Sequence, residues 1–230
     1  MTIADNISLS IQSGDAVQTE KLISHALRED FPKAKILREG LAAGIMEAEK
    51  RYQKNEIFDS EYLICEWALQ AGLNLLQSAM NADEGECTGT IITGTLEGDI
   101  RETGKDLSAC LMQSLGLKVI DLGSSVSSYR FIEAAIEEKA QLIACTTSLA
   151  MFLPLMKSLV LAASQTKIRS RTKILLSGNP VTEWFCESIN ADMYAPDPIQ
   201  AADMAANYCQ RIAGLHERFP GERVPAESTQ

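Results

Sequence analysis

Thr90-Ile-Ile-Thr93-Gly94-Thr-Leu-Glu-Gly98-Asp99-Ile-Arg101-Glu-Thr-Gly104-Lys105 is the stretch that decides the fold. A short β-branched run enters a glycine-punctuated loop, and from Gly104 the apolar residues recur at helical spacing. The same change of period returns four more times. Apolar runs at Val119–Leu122, Leu142–Cys145, Ile174–Leu176 and Met193–Ala195 alternate with amphipathic stretches near 104–115, 128–139, 152–164, 181–189 and 198–213. Strand–helix alternation of this kind predicts a parallel sheet covered on both faces. Near-continuous apolar strands agree with burial on both sides.

Upstream the period is different. From about residue 15 to residue 81 apolar positions recur only at helical steps, as at Leu37, Leu41, Ile45, Ala48 and Tyr52. Asp59-Ser60 read as a helix N-cap, and Pro32 fits the first turn of a helix. Gly40 and Gly44, one turn apart, would let a neighbouring helix approach closely. The expected architecture is therefore α/β: an N-terminal four-helix bundle cap over 1–86, then a flavodoxin-like (Rossmann-type) five-stranded parallel sheet domain over 87–214. The polar stretch 81–87 marks the boundary, and residues 215–230 read as a loose C-terminal tail.

Composition narrows the function. A net charge of −10 disfavours nucleic-acid partners. No apolar run approaches the roughly 20 residues that cross a bilayer, and the N-terminus lacks a secretory pattern, so no membrane association and a cytoplasmic location are expected. Six scattered cysteines without CxxC spacing read as reduced, buried thiols rather than a metal site. No triad, paired carboxylates or metal cluster stands out, so no catalytic residue and no metal ligand is assigned.

In an open parallel sheet, ligands bind beyond the carboxyl ends of the strands. Three of those ends are unusual: the loop Gly94–Lys105, the run Thr146-Thr147-Ser148, and Ser177-Gly178-Asn179-Pro180. On physical grounds alone they form a generic small-molecule pocket, which a response-regulator or flavodoxin-type domain could share.

The combination discriminates. Gly98-Asp99-x-x-x-x-Gly104-Lys105, Val119-Ile-Asp-Leu-Gly123, Ser177-Gly178-Asn-Pro-Val-Thr182 and Ala191-Asp-x-Tyr194-Ala-Pro-Asp197 resemble the cobalamin-binding domain of corrinoid methyltransferase proteins. Gly44-Ile-Met-Glu-Ala-Glu-Lys-Arg-Tyr52 with Asn55-Glu-Ile-Phe58 is similar to the helical segment preceding that domain. The likeness spans residues 15–210, implies the strand order 2-1-3-4-5, and is nearest to the methylamine, methanol and O-demethylase corrinoid proteins and to the cobalamin module of methionine synthase. It implies a cobalamin (corrinoid) cofactor and a methyl-carrier role in a multi-component methyltransferase system, with the methyl group shuttled on cobalt between partner methyltransferases. Such a chain is a corrinoid component rather than a stand-alone enzyme. Its partners are methyltransferase proteins that meet the cap and the strand ends, and a homodimer is compatible with it.

The resemblance also implies a cofactor site at Gly98, Asp99, Arg101, Gly104, Thr146, Ser148, Ser177, Gly178 and Tyr194. Three of these depart from the family. Its Asp-x-His-x-x-Gly motif, whose His ligates cobalt, reads Asp99-Ile-Arg101-Glu-Thr-Gly104 here. Guanidinium has no lone pair to offer a metal, so a bound corrinoid would have no protein His ligand. Ser148 replaces a Leu, and Ser177 replaces a glycine beside the slot for the nucleotide tail. Three readings follow: a corrinoid with neither His nor its own base on cobalt; a corrinoid retaining its benzimidazole; or a degenerate corrinoid-protein paralogue, its pocket plugged by an Arg101–Asp99 pair, acting as an interaction or regulatory partner. In the cap, Met46, Tyr52, Phe58, Tyr62 and Trp67 either shield a corrin ring or form plain core.

Overall fold

The computed structural model describes residues 1–80 and 87–218, with side chains to 214. The chain divides into two compact units, Met1–Gly85 and Glu86–Gln230. The boundary stretch 81–86 and the tail beyond 218 lie outside the described residues.

The first unit is helical: α1 (Ile3–Gln12), α2 (Ala16–Arg28), a third rod, and α5 (Asp59–Met80). The third rod joins α3 (Lys33–Lys35), a π-helix (Ile36–Ala42) and α4 (Ala43–Gln53) end to end. Helix α1 lies ahead of the region where the sequence reading began its bundle. A capping box between Thr2 and Asp5 starts it, and Ile7 and Ile11 bury its inner face. Gly40 and Gly44 do the work expected of them. A Cβ on Gly40 would stand 2.9 Å from the Ile7 side chain, and one on Gly44 2.8 Å from Ile11. Close approach of α1 to the third rod depends on their absence. The start of α5 differs from expectation. Asp59 is its first residue, and the Phe58 N–H donates to the Glu61 carboxylate at 2.8 Å.

The second unit is a five-stranded, all-parallel sheet, as the alternation predicts, in the order β2-β1-β3-β4-β5 that the resemblance implies. The strands are β1 (Thr90–Gly94), β2 (Lys118–Asp121), β3 (Leu142–Thr146), β4 (Lys173–Ser177) and β5 (Met193–Ala195). Period-2 alternation divides their side chains between two faces. Ile92, Ile143, Cys145, Ile174 and Leu176 join a core with α7 (Ser128–Glu137), α8 (Leu153–Ser164) and α9 (Glu183–Ser188). The opposite face carries Ile91, Thr93, Ala144, Thr146, Leu175 and Ser177. It packs against α6 (Thr103–Ser114) and α10 (Pro198–Arg218). Helix α10 runs through Gly214 to Arg218, so the first residues assigned to a tail are helical.

Candidate functional site

The loop from β1 to α6 is pinned from several directions. Its Gly98 N–H donates to Ser125 Oγ at 2.9 Å, and Ser125 N–H donates to the Asp99 carbonyl at 3.1 Å. The Thr95 hydroxyl donates to the same carbonyl. Leu96 and Val126 form a parallel bridge, so the loops leaving β1 and β2 are one piece of structure. Ser125 makes this possible by adopting a left-handed backbone at φ 56.

Asp99 is 1% exposed. Its carboxylate accepts the Arg101 backbone N–H at 3.1 Å and the Thr147 hydroxyl at 2.7 Å. The Arg101 guanidinium is not its partner. That side chain is exposed and makes no hydrogen bond or ion pair to a described residue. The plugged-pocket reading rested on an Arg101–Asp99 pair, and the geometry gives Asp99 two uncharged donors instead.

Thr147 is the residue that sequence reasoning missed. Besides its bond to Asp99, its N–H donates to the Ser177 carbonyl at 3.3 Å. A Cβ on Gly178 would fall 1.9 Å from the Thr147 carbonyl oxygen. Gly178 also has φ 119, a conformation that penalises any side chain. Glycine here lets two loop backbones touch. Thr147 thus ties together the loops after β1, β3 and β4. The signal in the sequence was a third hydroxyl residue between the two that the family pattern marks.

Thr146 and Ser177 are register partners in β3 and β4, so both point to the α6/α10 face. Thr146 is half-buried and Ser177 is 5% exposed, yet neither hydroxyl bonds to a described residue. Buried hydroxyls normally find partners, and an uncommitted pair at a strand end is a feature a ligand can use. Ser148 is exposed and equally uncommitted. Gly104, in the first turn of α6, has no atom within 4 Å of where a Cβ would stand, and neither does Gly123 after β2. Tyr194 stands apart from the other residues of the expected site. It pairs in register with Leu176 and packs on the α7–α9 core, on the far side of the sheet from Thr146 and Ser177.

Lys105 is a second residue the site assignment omitted. Only 2% of it is exposed, and its ammonium contacts Asp106 Oδ1 at 2.7 Å and Asp121. Burial opposes its charge, but these two carboxylates outweigh burial and hold its pKa above the ordinary value. It ties the start of α6 to the end of β2. Cys145, next to Thr146, is a fully buried thiol whose pKa is raised by burial and then by the negative charge of Asp99. Around these residues the chain exposes Ile100, Tyr129, Met151 and Trp184, one on the segment that leaves each of β1 to β4. Among the described residues, no cluster of three or more His, Cys, Asp or Glu could hold a metal ion.

Residues 89–202 match the family described as "B12 binding domain", and residues 3–77 match a second family of the same description. The dimethylamine corrinoid protein of Methanosarcina barkeri is 31% identical over 177 residues, covering 76% of this chain and 83% of that protein. The chain belongs to the corrinoid protein family. A corrinoid protein of Desulfitobacterium hafniense (strain Y51) is 28% identical over 217 residues, 93% of this chain and 99% of its own. Among solved structures, the monomethylamine corrinoid protein of Methanosarcina barkeri aligns with a TM-score of 0.76 at 25% identity, over 89% of this chain and 97% of that one. The methanol:cobalamin methyltransferase complex of the same organism shares the fold, at TM-score 0.52 and 18% identity over 96% of this chain and 85% of the matched chain.

The residues fit the family's cofactor in one respect and differ in another. Open space at Gly104 and Gly123, the uncommitted hydroxyls of Thr146 and Ser177, and the apolar rim suit a flat, amide-fringed ring. Arg101, two residues after Asp99, has no lone pair for cobalt.

In the helical unit, Tyr52 and Tyr62 stack at 4.9 Å between ring centroids. Phe58 and Trp67 are exposed rather than core, and Met46 is half-buried. No helix among the described residues is long and apolar enough to cross a membrane.

Proposed function

We propose that this chain is the corrinoid-carrying component of a methyl-transfer system, with no protein nitrogen on the lower face of cobalt. Partner methyltransferases load and unload the methyl group. The observation that carries the reading is the intact architecture around a changed residue. Asp99 is buried and anchored, the strand-end hydroxyls are uncommitted, and the position that the family resemblance marks for ligation holds an exposed Arg101.

When bound, the corrinoid supplies a cobalt centre that accepts and releases a methyl group. The chain's own residues position and shield. Gly98, Asp99 and Thr147 fix the loop that faces the ring. Thr146, Ser148 and Ser177 offer hydroxyls to its polar fringe. Ile100, Tyr129, Met151 and Trp184 supply apolar contact area that excludes water and that a partner protein can cover. The lack of an acid–base constellation agrees with chemistry that the macrocycle and the partners perform.

Reconstitution with hydroxocobalamin followed by desalting tests the reading. Pigment should be retained, and the EPR spectrum of the Co(II) form should be the same for ¹⁴N and ¹⁵N protein. A label-dependent nitrogen splitting would refute the absence of a protein ligand. A colourless protein would refute corrinoid carriage and favour a paralogue that acts through protein contacts alone.

A further inference from the structure

Arg101 is more than a missing ligand. Within the loop 94–104 it is the one cationic side chain, and its neighbours Glu97, Asp99 and Glu102 are all acidic. Its backbone is held at the Asp99 carboxylate, while its guanidinium remains exposed without a bond to any described residue. Lys105, the next cation along the chain, is paired with Asp106 and Asp121. Arg130 and Arg169 show that the chain engages arginines where acids are in reach: Arg130 pairs with Glu133 and Glu137, and Arg169 with Asp192.

Resting on the corrinoid reading above, we infer that Arg101 is a specificity-determining residue that pairs with the phosphodiester of the corrinoid nucleotide loop. The periphery of a complete corrinoid is fringed by neutral amides, and the phosphodiester is its one fixed anion. Without Arg101 that anion would meet a loop carrying three carboxylates on a chain of net charge −10. Guanidinium presents a planar fork of donors that matches phosphate oxygens in two parallel bonds. The substitution that removes a cobalt ligand therefore supplies a phosphate contact. The protein should discriminate complete corrinoids from cobinamide, which lacks the nucleotide loop and its phosphate.

The experiment compares hydroxocobalamin with dicyanocobinamide on the full chain, by titration followed in the visible spectrum at two salt concentrations. Native protein should prefer the complete corrinoid, and the preference should shrink as salt rises. Arg101→Gln should weaken cobalamin binding about tenfold, as for one lost charged contact, and leave cobinamide binding unchanged. Arg101→Lys should retain part of the preference. Circular dichroism checks that the variants fold, and an exposed side chain gives no reason for them to fail. Equal losses for both ligands, or no loss for either, overturn the inference while leaving corrinoid binding intact. A native chain that retains neither ligand overturns the corrinoid reading itself, and this inference with it.

Discussion

Thr147→Val separates the residue that holds the site together from those that face a ligand. Valine keeps the shape of threonine and deletes the hydroxyl that donates to Asp99 Oδ2 at 2.7 Å. Asp99 is 1% exposed and Thr147 3%, so water cannot replace the lost donor without opening the loop. The carboxylate would keep a single donor, the Arg101 backbone N–H. Hydrogen bonds to charged groups contribute about 1.5–3 kcal/mol, and a buried acceptor left short of partners falls within that range. We expect a loss of about 2 kcal/mol. In a chain of this size that lowers Tm by about 4–8 °C.

Urea denaturation followed by far-ultraviolet circular dichroism should show a lower midpoint with an unchanged slope. Hydrogen exchange of the β1 and β3 amides would assign the loss to the α/β unit. The neighbouring variant Thr146→Val is the control. Its hydroxyl is uncommitted within the described chain, so it should change stability by less than about 0.5 kcal/mol while weakening corrinoid retention. A Thr147→Val protein within about 0.5 kcal/mol of native stability would refute the keystone role. So would a Thr146→Val protein that loses as much.

Gly178→Ala should unfold the α/β unit or cost it several kcal/mol, because the new Cβ would fall 1.9 Å from the Thr147 carbonyl oxygen in a backbone at φ 119; soluble yield and urea midpoint read this. Gly104→Ala has the opposite sign: its Cβ meets nothing within 4 Å in the first turn of α6, so the protein should gain about 0.5 kcal/mol in urea titration and bind hydroxocobalamin more weakly. Glu49 in the helical unit has its pKa raised, first by burial and then by the charge of Glu66. The folded state therefore holds that proton more tightly, and native stability falls as pH rises through and above the ordinary glutamate range. Glu49→Gln should raise the Tm at neutral pH, with the gain vanishing in acid; an equal gain at every pH would refute this.

The fold was legible because it is written in periods. Alternation between strand and helix reaches the parallel sheet without any single decisive residue, since burial on both faces forces Ile92, Ile143 and Ile174 into apolar runs. Gly40 and Gly44 were legible for a similar reason: only the absence of a side chain lets α1 lie that close. Helix α1 itself was missed because Ser8 and Ser10 break its apolar pattern and Ser13 follows directly as its C-cap. Two of those serines bond back to helix carbonyls, Ser10 to Ile7 and Ser13 to Ser10, so their polarity is satisfied within the helix.

The site was legible by position and not by role. A strand-end hydroxyl reads the same whether it stays uncommitted, as those of Thr146 and Ser177 do, or clamps a neighbouring loop, as Thr147 does. Which it does depends on one residue of register, and register comes from the sheet rather than from the local sequence. The same parity places Tyr194 on the face of the sheet opposite Thr146 and Ser177, although its motif matches. At Gly178 the geometry adds what the letter did not show: two backbones meet there, a contact that no side chain permits. Arg101 shows how far the sequence goes. Its chemistry excludes cobalt ligation from the letter alone, but only the geometry reveals that Asp99 is already satisfied without the guanidinium. A cation whose nearest buried acid is occupied elsewhere stays available for an anion from outside the chain, and that availability turns a lost ligand into a candidate specificity contact.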